Sequence, residues 1–252
     1  MNRRPGVAIL TYHSIDDSGS VLSTPPGLFG EQMRMLHESS VEVVPLRTVR
    51  DVLEGTGASK PRVAITFDDG FMNAYDHGLP VLLRHGFPAT IFPVTDYCGK
   101  WNDWPGQPHG IKRYPMLGWN EVREMSKAGI TFGSHTRTHP DLRMLPPNRV
   151  EEELLSSKKT LEDALGRSVD SFAYPYGAYN ETIKTISQRL FSICCSTKLD
   201  FVKRGSDPFA LERLDMYYLR HPSSFRHLFC RKTALYIHVR RGIRNLRGRM
   251  LG

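Results

Sequence analysis

Short runs of apolar and β-branched residues alternate along the chain with segments of helical periodicity. Such runs predict strands at residues 7–12, 41–46, 63–67, 89–94, 130–134, 171–174 and 191–196. The helical segments between and before them are residues 29–37, 48–54, 75–85, 120–127, 148–165 and 180–189. Strands that alternate with helices predict a parallel sheet, and 252 residues suit a distorted (β/α) barrel of about seven parallel strands.

The segment 97–117 interrupts this rhythm. It is rich in Gly, Pro, Trp and His and has no periodicity. A loop of this length in a compact domain usually has a function. We consider two interpretations: Trp101 and Trp104 stack on sugar rings in a substrate groove, or they anchor the loop to the protein.

Charge is distributed unevenly. The net charge is +8, and residues 216–252 hold nine Lys and Arg residues and no Asp or Glu. Subtracting those nine charges leaves −1 for residues 1–215. A nucleic-acid-binding protein would more often carry basic surface on its body, so we expect no nucleic-acid partner. A basic tail beside a neutral body favours contact with an anionic surface such as a membrane.

The end of the chain has the pattern of a basic amphipathic helix. Its apolar face holds Leu235, Val239, Ile243, Leu246 and Met250, and Arg240, Arg241, Arg244 and Arg247 lie largely opposite. The helix either lies on an anionic bilayer or packs its apolar face on the barrel and leaves its arginines in solvent. We therefore predict a catalytic barrel over residues 1–222 and a helical tail over residues 223–252.

The other compartment signals are weak. None of the four cysteines forms a CxxC pair, the first residues lack a signal-peptide pattern, and no run approaches the length of a membrane span. The expectation is a cytoplasmic protein, with peripheral membrane contact through the tail as the alternative.

Two adjacent carboxylates follow the predicted strand 63–67, in the sequence TFDDG at 66–70. Asp68 and Asp69 at the end of a buried strand are costly unless a cation compensates them. With a bound cation, one carboxylate would be a ligand and the other a base. The alternative is an ordinary Asp-Gly turn.

Two histidines follow the predicted strand 130–134, in the sequence HTRTH at 135–139. Spacing of i, i+4 places His135 and His139 on one face of a helical turn, where both can bind one metal ion. Together with the aspartates they favour a metal site over two structural histidines.

Two further motifs lie at predicted strand ends. FAYPYG at 172–177 forms a tight turn that can aim a backbone N–H at an anionic intermediate, and His13 ends LTYH at 10–13. In a parallel barrel the carboxyl ends of all strands meet at one mouth. We therefore expect four motifs that are distant in sequence to form one site.

These motifs resemble the polysaccharide deacetylase family, also called the NodB-homology or carbohydrate esterase 4 family. Their order is similar to that of the circularly permuted subgroup that includes poly-N-acetylglucosamine deacetylases. The resemblance implies that Asp69, His135 and His139 bind a divalent metal, most often zinc, with cobalt, nickel or manganese as alternatives. It implies that Asp68 is the general base and His13 the general acid.

The resemblance also implies that the backbone N–H of Tyr176 helps to hold the oxyanion, and that Tyr174, Pro175 and Tyr176 contact substrate. Family members often carry an Arg that orients the base, but Ala173 stands at that position. Arg213 can supply the charge from another strand. A tryptophan motif that lines the acetyl pocket in the family is not evident.

The implied activity is metal-dependent removal of an N-acyl group, most simply acetyl, from an amino sugar in a polysaccharide, oligosaccharide or glycolipid. Two alternatives stay open. The first is a deformylase or deacetylase of a lipid-linked or nucleotide-linked sugar. The second is a catalytically degenerate carbohydrate-binding relative, for which Ala173 is the one supporting residue.

Overall fold

A computed structural model describes residues 6–55, 60–107 and 110–250. Two residues of the long loop 97–117, at positions 108 and 109, lie outside the described residues. The side chains at position 245 and at positions 247–250, which include two predicted members of the tail helix faces, are likewise not described.

Seven parallel strands of the described chain form a nearly closed barrel. The strands are β1 Val7–Tyr12, β2 Ser14–Ile15, β3 Ser23–Thr24, β4 Glu42–Val43, β5 Arg62–Asp69, β6 Ala89–Pro93, β7 Thr131–Phe132, β8 Ser171–Ala173, β9 Ile193–Leu199 and β10 Leu211–Asp215. The spatial order in the barrel is β7-β6-β5-β1-β10-β9-β8. A parallel bridge between Ser134, which follows β7, and Phe172 on β8 joins its two edges. The short strand β4 pairs with β5 outside this path, and β2 pairs with β3 beside the barrel.

Helices surround the barrel and connect its strands. They are α1 Pro26–Glu38, α2 Val49–Glu54, α3 Leu79–His85, α4 Trp119–Lys127, α5 Pro147–Leu165, α6 Glu181–Leu190, α7 Pro222–Arg226 and α8 Arg231–Met250. A π-helical turn, Ala74–Gly78, precedes α3. None of the described helices has both the length and the apolar character needed to cross a membrane.

The predicted barrel is confirmed, but one predicted strand is shorter than expected and lies outside the barrel path, and one barrel strand was missed. Residues 41–46 provide only the two-residue β4, outside the barrel path. Pro45 within that run has no N–H to donate, which limits the ladder. The missed strand β10 is the seventh barrel strand and lies between β1 and β9. The charged residues in its sequence, LERLD, conceal the apolar pattern of a strand.

Alternating side chains along the strands separate two apolar layers. Ile9, Ala64, Cys195 and Leu211 belong to an inner cluster, to which α2 contributes Val49. The neighbouring strand residues, such as Leu10 and Cys194, belong to the larger cluster that the outer helices cover. Every second residue after Ala64 and Leu211, toward the carboxyl ends of the strands, is polar. The barrel interior is therefore polar near its mouth.

The predicted C-terminal helix is present, but its apolar face does not pack on the barrel. Ile237 and Thr233 are buried against the protein, while Leu235 and Val239 are exposed. Arg241 pairs with Asp200, and Arg244 donates to Thr197 on β9. The prediction that the apolar face would pack on the barrel and leave the arginines in solvent is therefore wrong. The proposed boundary at residue 222 stays a prediction.

Candidate active site

Asp68 and Asp69 lie at the carboxyl end of β5 and are both buried. Asp68 continues the inward series of Ala64 and Thr66, because alternate residues share a face of a strand. Asp69 has a φ of 68° and Gly70 a φ of 84°, so the chain turns sharply at this point. A Cβ on Gly70 would lie 2.8 Å from the side chain of Pro93, which explains why the turn requires glycine.

Asp69, His135 and His139 form a cluster that can hold a metal ion. One ligand atom from each residue lies within 4.8 Å of the others, and all three side chains are buried. The Nε2 atoms of His135 and His139 are each 3.4 Å from Oδ1 of Asp69. One carboxylate and two imidazoles are a donor set that suits zinc and similar divalent ions, and three protein ligands leave coordination positions for water and substrate.

The surroundings orient both imidazoles toward Asp69. Nδ1 of His135 lies 2.7 Å from the carbonyl oxygen of Ala173, which favours the tautomer with a proton on Nδ1 and a lone pair on Nε2. His139 packs between Trp104 and Tyr176, with ring centroids 4.6 Å away on each. Ala173, where the sequence lacks the expected arginine, thus contributes its carbonyl group to the site.

The loop that carries the two histidines is not the helical turn that their spacing predicted. Thr136 and His139 have φ values of 69° and 59°, so the two rings converge from an irregular loop. The carboxylate of Glu153 on α5 accepts hydrogen bonds from the N–H groups of Arg137 and Thr138, each at 2.9 Å. These bonds replace those that a helix would have made.

Unfavourable backbone conformations are concentrated at this site. Among the residues that the structure describes, the non-glycine residues with positive φ are Asp69, Thr136, His139 and Tyr176. Each such residue costs on the order of 1–3 kcal/mol and persists only where its surroundings fix it. Their concentration around one cluster indicates that the fold sacrifices stability to hold these groups in place.

Asp68 is held by an arginine from β10, which is separated from β5 in the barrel only by β1. Arg213 on β10 binds both carboxylate oxygens, with NH1–Oδ1 and NH2–Oδ2 distances of 2.7 and 2.6 Å. The guanidinium also donates from Nε to the carbonyl oxygen of Ser196 at 2.8 Å. Nε2 of His13 lies 4.0 Å from Oδ2 of Asp68. Arg213 therefore supplies Asp68 with a paired cation, while its equivalence to the arginine that is missing at Ala173 stays a prediction.

Both aspartates are ionised at neutral pH. Burial raises the pKa of Asp69, but hydrogen bonds with His135 and His139 outweigh burial and hold the pKa far below its usual range. Burial also raises the pKa of Asp68, and the charge and hydrogen bonds of Arg213 lower it further than burial raises it. The two neighbouring carboxylates are thus stabilised by different groups.

A cavity opens over these groups at the barrel mouth. His13, both aspartates, both histidines and Arg213 line it, together with Tyr176 and Trp104. All the residues predicted as metal ligands, base and acid therefore lie at one cavity. Thr197 and Arg244, which the sequence analysis did not select, also line it.

Some predicted substrate contacts are wrong. Tyr174 is fully buried, and its hydroxyl donates to the carbonyl oxygen of Phe209. Pro175 is also buried, and neither residue lines the cavity. Both stabilise the turn that presents Tyr176, whose side chain is 40% exposed.

The two tryptophans of the long loop differ in exposure. Trp104 lines the cavity but is only 3% exposed, which fits the interpretation as a loop anchor better than sugar stacking, and its role in substrate binding stays a prediction. Trp101 is 43% exposed but lies outside the cavity lining, and the guanidinium of Arg113 is 4.7 Å from its ring centroid. Its role in substrate binding stays a prediction.

Glu153 is the main positioning residue that sequence reasoning missed. It lies on the buried side of α5 with Val150 and Leu154. A carboxylate on the apolar face of an amphipathic helix was the available signal, because such a group needs buried partners.

A parallel (β/α) barrel with this site at its mouth defines the structural class, that of the NodB-like hydrolases. A family model described as polysaccharide deacetylase matches residues 55–190. YxkH of Bacillus subtilis, whose name describes a polysaccharide deacetylase, is 31% identical over 208 residues, or 82% of this chain and 70% of that protein. The chain belongs to the polysaccharide deacetylase family and is a hydrolase of amide bonds.

Other relatives support the same assignment. The poly-beta-1,6-N-acetyl-D-glucosamine N-deacetylase of Staphylococcus aureus is 27% identical over 164 residues, 61% of this chain and 53% of that protein. IcaB from Ammonifex degensii has a TM-score of 0.76 at 25% identity, covering 92% of this chain and 97% of that one. The Streptococcus pyogenes deacetylase PplD, solved with acetate, has a TM-score of 0.74 at 25% identity, covering 84% and 93%.

Proposed function

We propose that the protein is a metal-dependent N-deacetylase of amino sugars in a glycan. One observation supports this most strongly: a buried Asp-His-His cluster, an arginine-paired aspartate and a histidine line the same cavity. A degenerate carbohydrate-binding relative would have no need to maintain four strained residues around these groups.

The residues present fit a divalent ion. Asp69, His135 and His139 would hold it, with zinc as the proposed metal. Bound there, the ion would polarise the amide carbonyl and make a water molecule more acidic. Asp69 would be bound to the ion. Asp68, the other carboxylate of the pair, would then be free to accept a proton.

Asp68 is the proposed general base. It is ionised, and its two oxygens are fixed by Arg213 while retaining lone pairs for a further proton. It would accept a proton from the attacking water as the new C–O bond forms. Arg213 contacts the base and keeps it oriented, so we assign it a positioning role.

His13 is the proposed general acid. It lines the cavity at the barrel mouth, close to Asp68, and its side chain is partly exposed. As the C–N bond breaks, His13 would donate a proton to the departing amine, and the acyl group would leave as a carboxylate. The proton on Asp68 then restores His13 directly or through water.

Tyr176 is the proposed oxyanion donor. The N–H groups of Gly177 and Ala178 close the turn on the carbonyls of Tyr174 and Pro175, so the turn does not use the Tyr176 N–H for its own hydrogen bonds. Its φ of 57° shows that the turn is held in an unusual conformation. A backbone donor near developing negative charge is a common way to stabilise an amide-hydrolysis transition state.

The proposed substrate is an N-acetylated amino-sugar polymer, because the Staphylococcus aureus relative acts by its name on poly-beta-1,6-N-acetyl-D-glucosamine. The test is acyl release from N-acetylglucosamine oligomers of defined linkage, followed by mass spectrometry. Loss of one acetyl mass per reacted sugar, abolished by a chelator and restored by zinc or cobalt, is the expected result. Loss of a formyl mass, or activity only on lipid-linked or nucleotide-linked sugars, would support the alternative substrate classes.

The metal is tested separately from turnover. The purified protein should contain about one zinc per chain by elemental analysis, and replacing Asp69 with Ala should remove it. Full deacetylation by protein that contains no metal would contradict the proposal.

A further inference from the structure

The C-terminal helix α8 exposes a continuous row of large apolar side chains. Leu235, Val239, Ile243 and Leu246 are 63%, 51%, 40% and 58% exposed. Their spacing of i, i+4, i+8 and i+11 places them on one face of the helix. We call these four residues the apolar stripe.

The helix cannot bury the stripe by rotating, because its opposite face is fixed to the barrel. Ile237 and Thr233 are buried there. Arg244 donates to the carbonyl and hydroxyl oxygens of Thr197, both at 2.8 Å, and Arg241 pairs with Asp200. The stripe is thus directed to solvent by specific contacts on the other side.

Cationic residues accompany the stripe. Arg231, Lys232 and Arg240 on α8 are exposed. By helical geometry Arg231 and Arg240 flank the stripe on its two sides, and Lys232 lies in line with it, one turn before Leu235. Residues 216–252 contain no Asp or Glu. An apolar face between basic residues is complementary to a surface that offers both hydrocarbon and negative charge. Self-association through α8 would instead bring two cationic helices together.

We propose that α8 is a membrane-docking element, which lies flat in the interface of a bilayer that contains anionic lipids. The stripe enters the acyl boundary, and the flanking cations contact lipid headgroups. This mode needs neither a membrane-spanning helix nor a conformational change in the barrel.

The same helix links the membrane to the catalytic cavity. Arg244 lines that cavity and lies on the face of α8 opposite the stripe. Docking would therefore hold the cavity about one helix diameter, roughly 10 Å, from the lipid surface. If the proposed deacetylase function holds, the substrate is a glycan presented close to a membrane.

The docking test compares two double variants of the full chain with identical charge changes. Leu235→Glu/Leu246→Glu disrupts the stripe, whereas Leu83→Glu/Met144→Glu changes two exposed apolar residues outside α8. Each protein is sedimented with vesicles of phosphatidylcholine alone and with vesicles that contain 30% phosphatidylglycerol. Thermal melting verifies that each variant is folded.

Wild-type protein and the Leu83/Met144 variant should sediment with the anionic vesicles, and the stripe variant should lose at least about tenfold in partitioning. Equal binding by both variants, or no wild-type binding to anionic vesicles, would overturn the proposal. Light scattering without lipid is the second readout. A wild-type dimer that becomes monomeric in the stripe variant would identify a self-association face and would also overturn it. Acyl release is assayed separately, because docking and catalysis can fail independently.

Discussion

In most proteins, charged side chains are exposed and large apolar side chains are buried. The barrel mouth breaks the first rule and the C-terminal helix breaks the second. At the mouth, two carboxylates, two imidazoles and a guanidinium are buried. On α8, four large apolar side chains face solvent while two arginines turn inward. Buried polar groups and exposed apolar rows are the two observations that most often indicate function.

The two regions also differ in what stabilises them. Every ionisable group at the mouth has a partner of opposite charge or a hydrogen bond, since an unpaired buried charge would be very costly. The stripe on α8 needs no compensation within the chain, because exposed apolar residues cost little in isolation. We therefore expect substitutions at the mouth to change the catalytic chemistry, and substitutions on the stripe to change membrane binding.

The largest effect is expected at the metal ligands. His135→Ala should remove a ligand and leave Asp69 without one of its hydrogen-bond partners, so bound metal and acyl release should both fall to background. Elemental analysis and an acetate assay measure the two effects. His77→Ala is the control, because His77 is exposed and does not line the cavity. Retention of full metal content in His135→Ala would show that the ligand assignment is wrong.

Asp68→Asn should lower kcat by roughly 10²–10⁴-fold, because an amide cannot accept the proton from water. Metal content should stay close to one ion per chain, since Asp68 is not a proposed ligand. Kinetics and elemental analysis on the same preparation distinguish the two aspartates. If metal is lost instead, the roles assigned to Asp68 and Asp69 are reversed.

These roles follow from sequence to different degrees. The strand-end positions of Asp68, His135 and His13 could be predicted, because parallel strands in a barrel share one mouth. The pairing of Arg213 with Asp68 could only be suggested, because it depends on β10 lying next to β1, a long-range contact with no local signal. The irregular histidine loop was hidden for a similar reason: Glu153, which fixes it, lies 14 residues beyond His139 on another element.

The tail shows the same limit in a different form. Periodicity predicted helix α8 and its two faces, because both depend on local spacing. Which face meets the barrel depends on partners elsewhere, and Asp200 and Thr197 hold the basic face. Long side chains such as Arg241 can bury their aliphatic parts, so hydropathy alone does not decide the orientation.

A smaller catalytic effect is expected when Asp68 keeps its carboxylate but loses its ion-pair partner Arg213. Arg213→Met should leave Asp68 buried without its main stabilising charge, so the pKa of Asp68 should rise. Activity requires the ionised form and is lost as pH falls through this pKa. The acid limb of kcat/KM should therefore move to higher pH, with a loss of about 10–100-fold at neutral pH. Arg213→Lys should shift the limb less, and an unchanged pH profile in both variants would exclude the positioning role.

The smallest effect compares two positions on one helix. Leu235→Asp should change the free energy of unfolding by less than about 0.5 kcal/mol, because the side chain is already in water. Ile237→Asp, two residues away, would bury a charge without a partner and should cost several kcal/mol. Urea unfolding measures both, and acyl release from a soluble oligomer should be unchanged in Leu235→Asp. Equal destabilisation would mean that the stripe is buried in solution by a contact within or between chains, and the contrast between mouth and tail would then disappear.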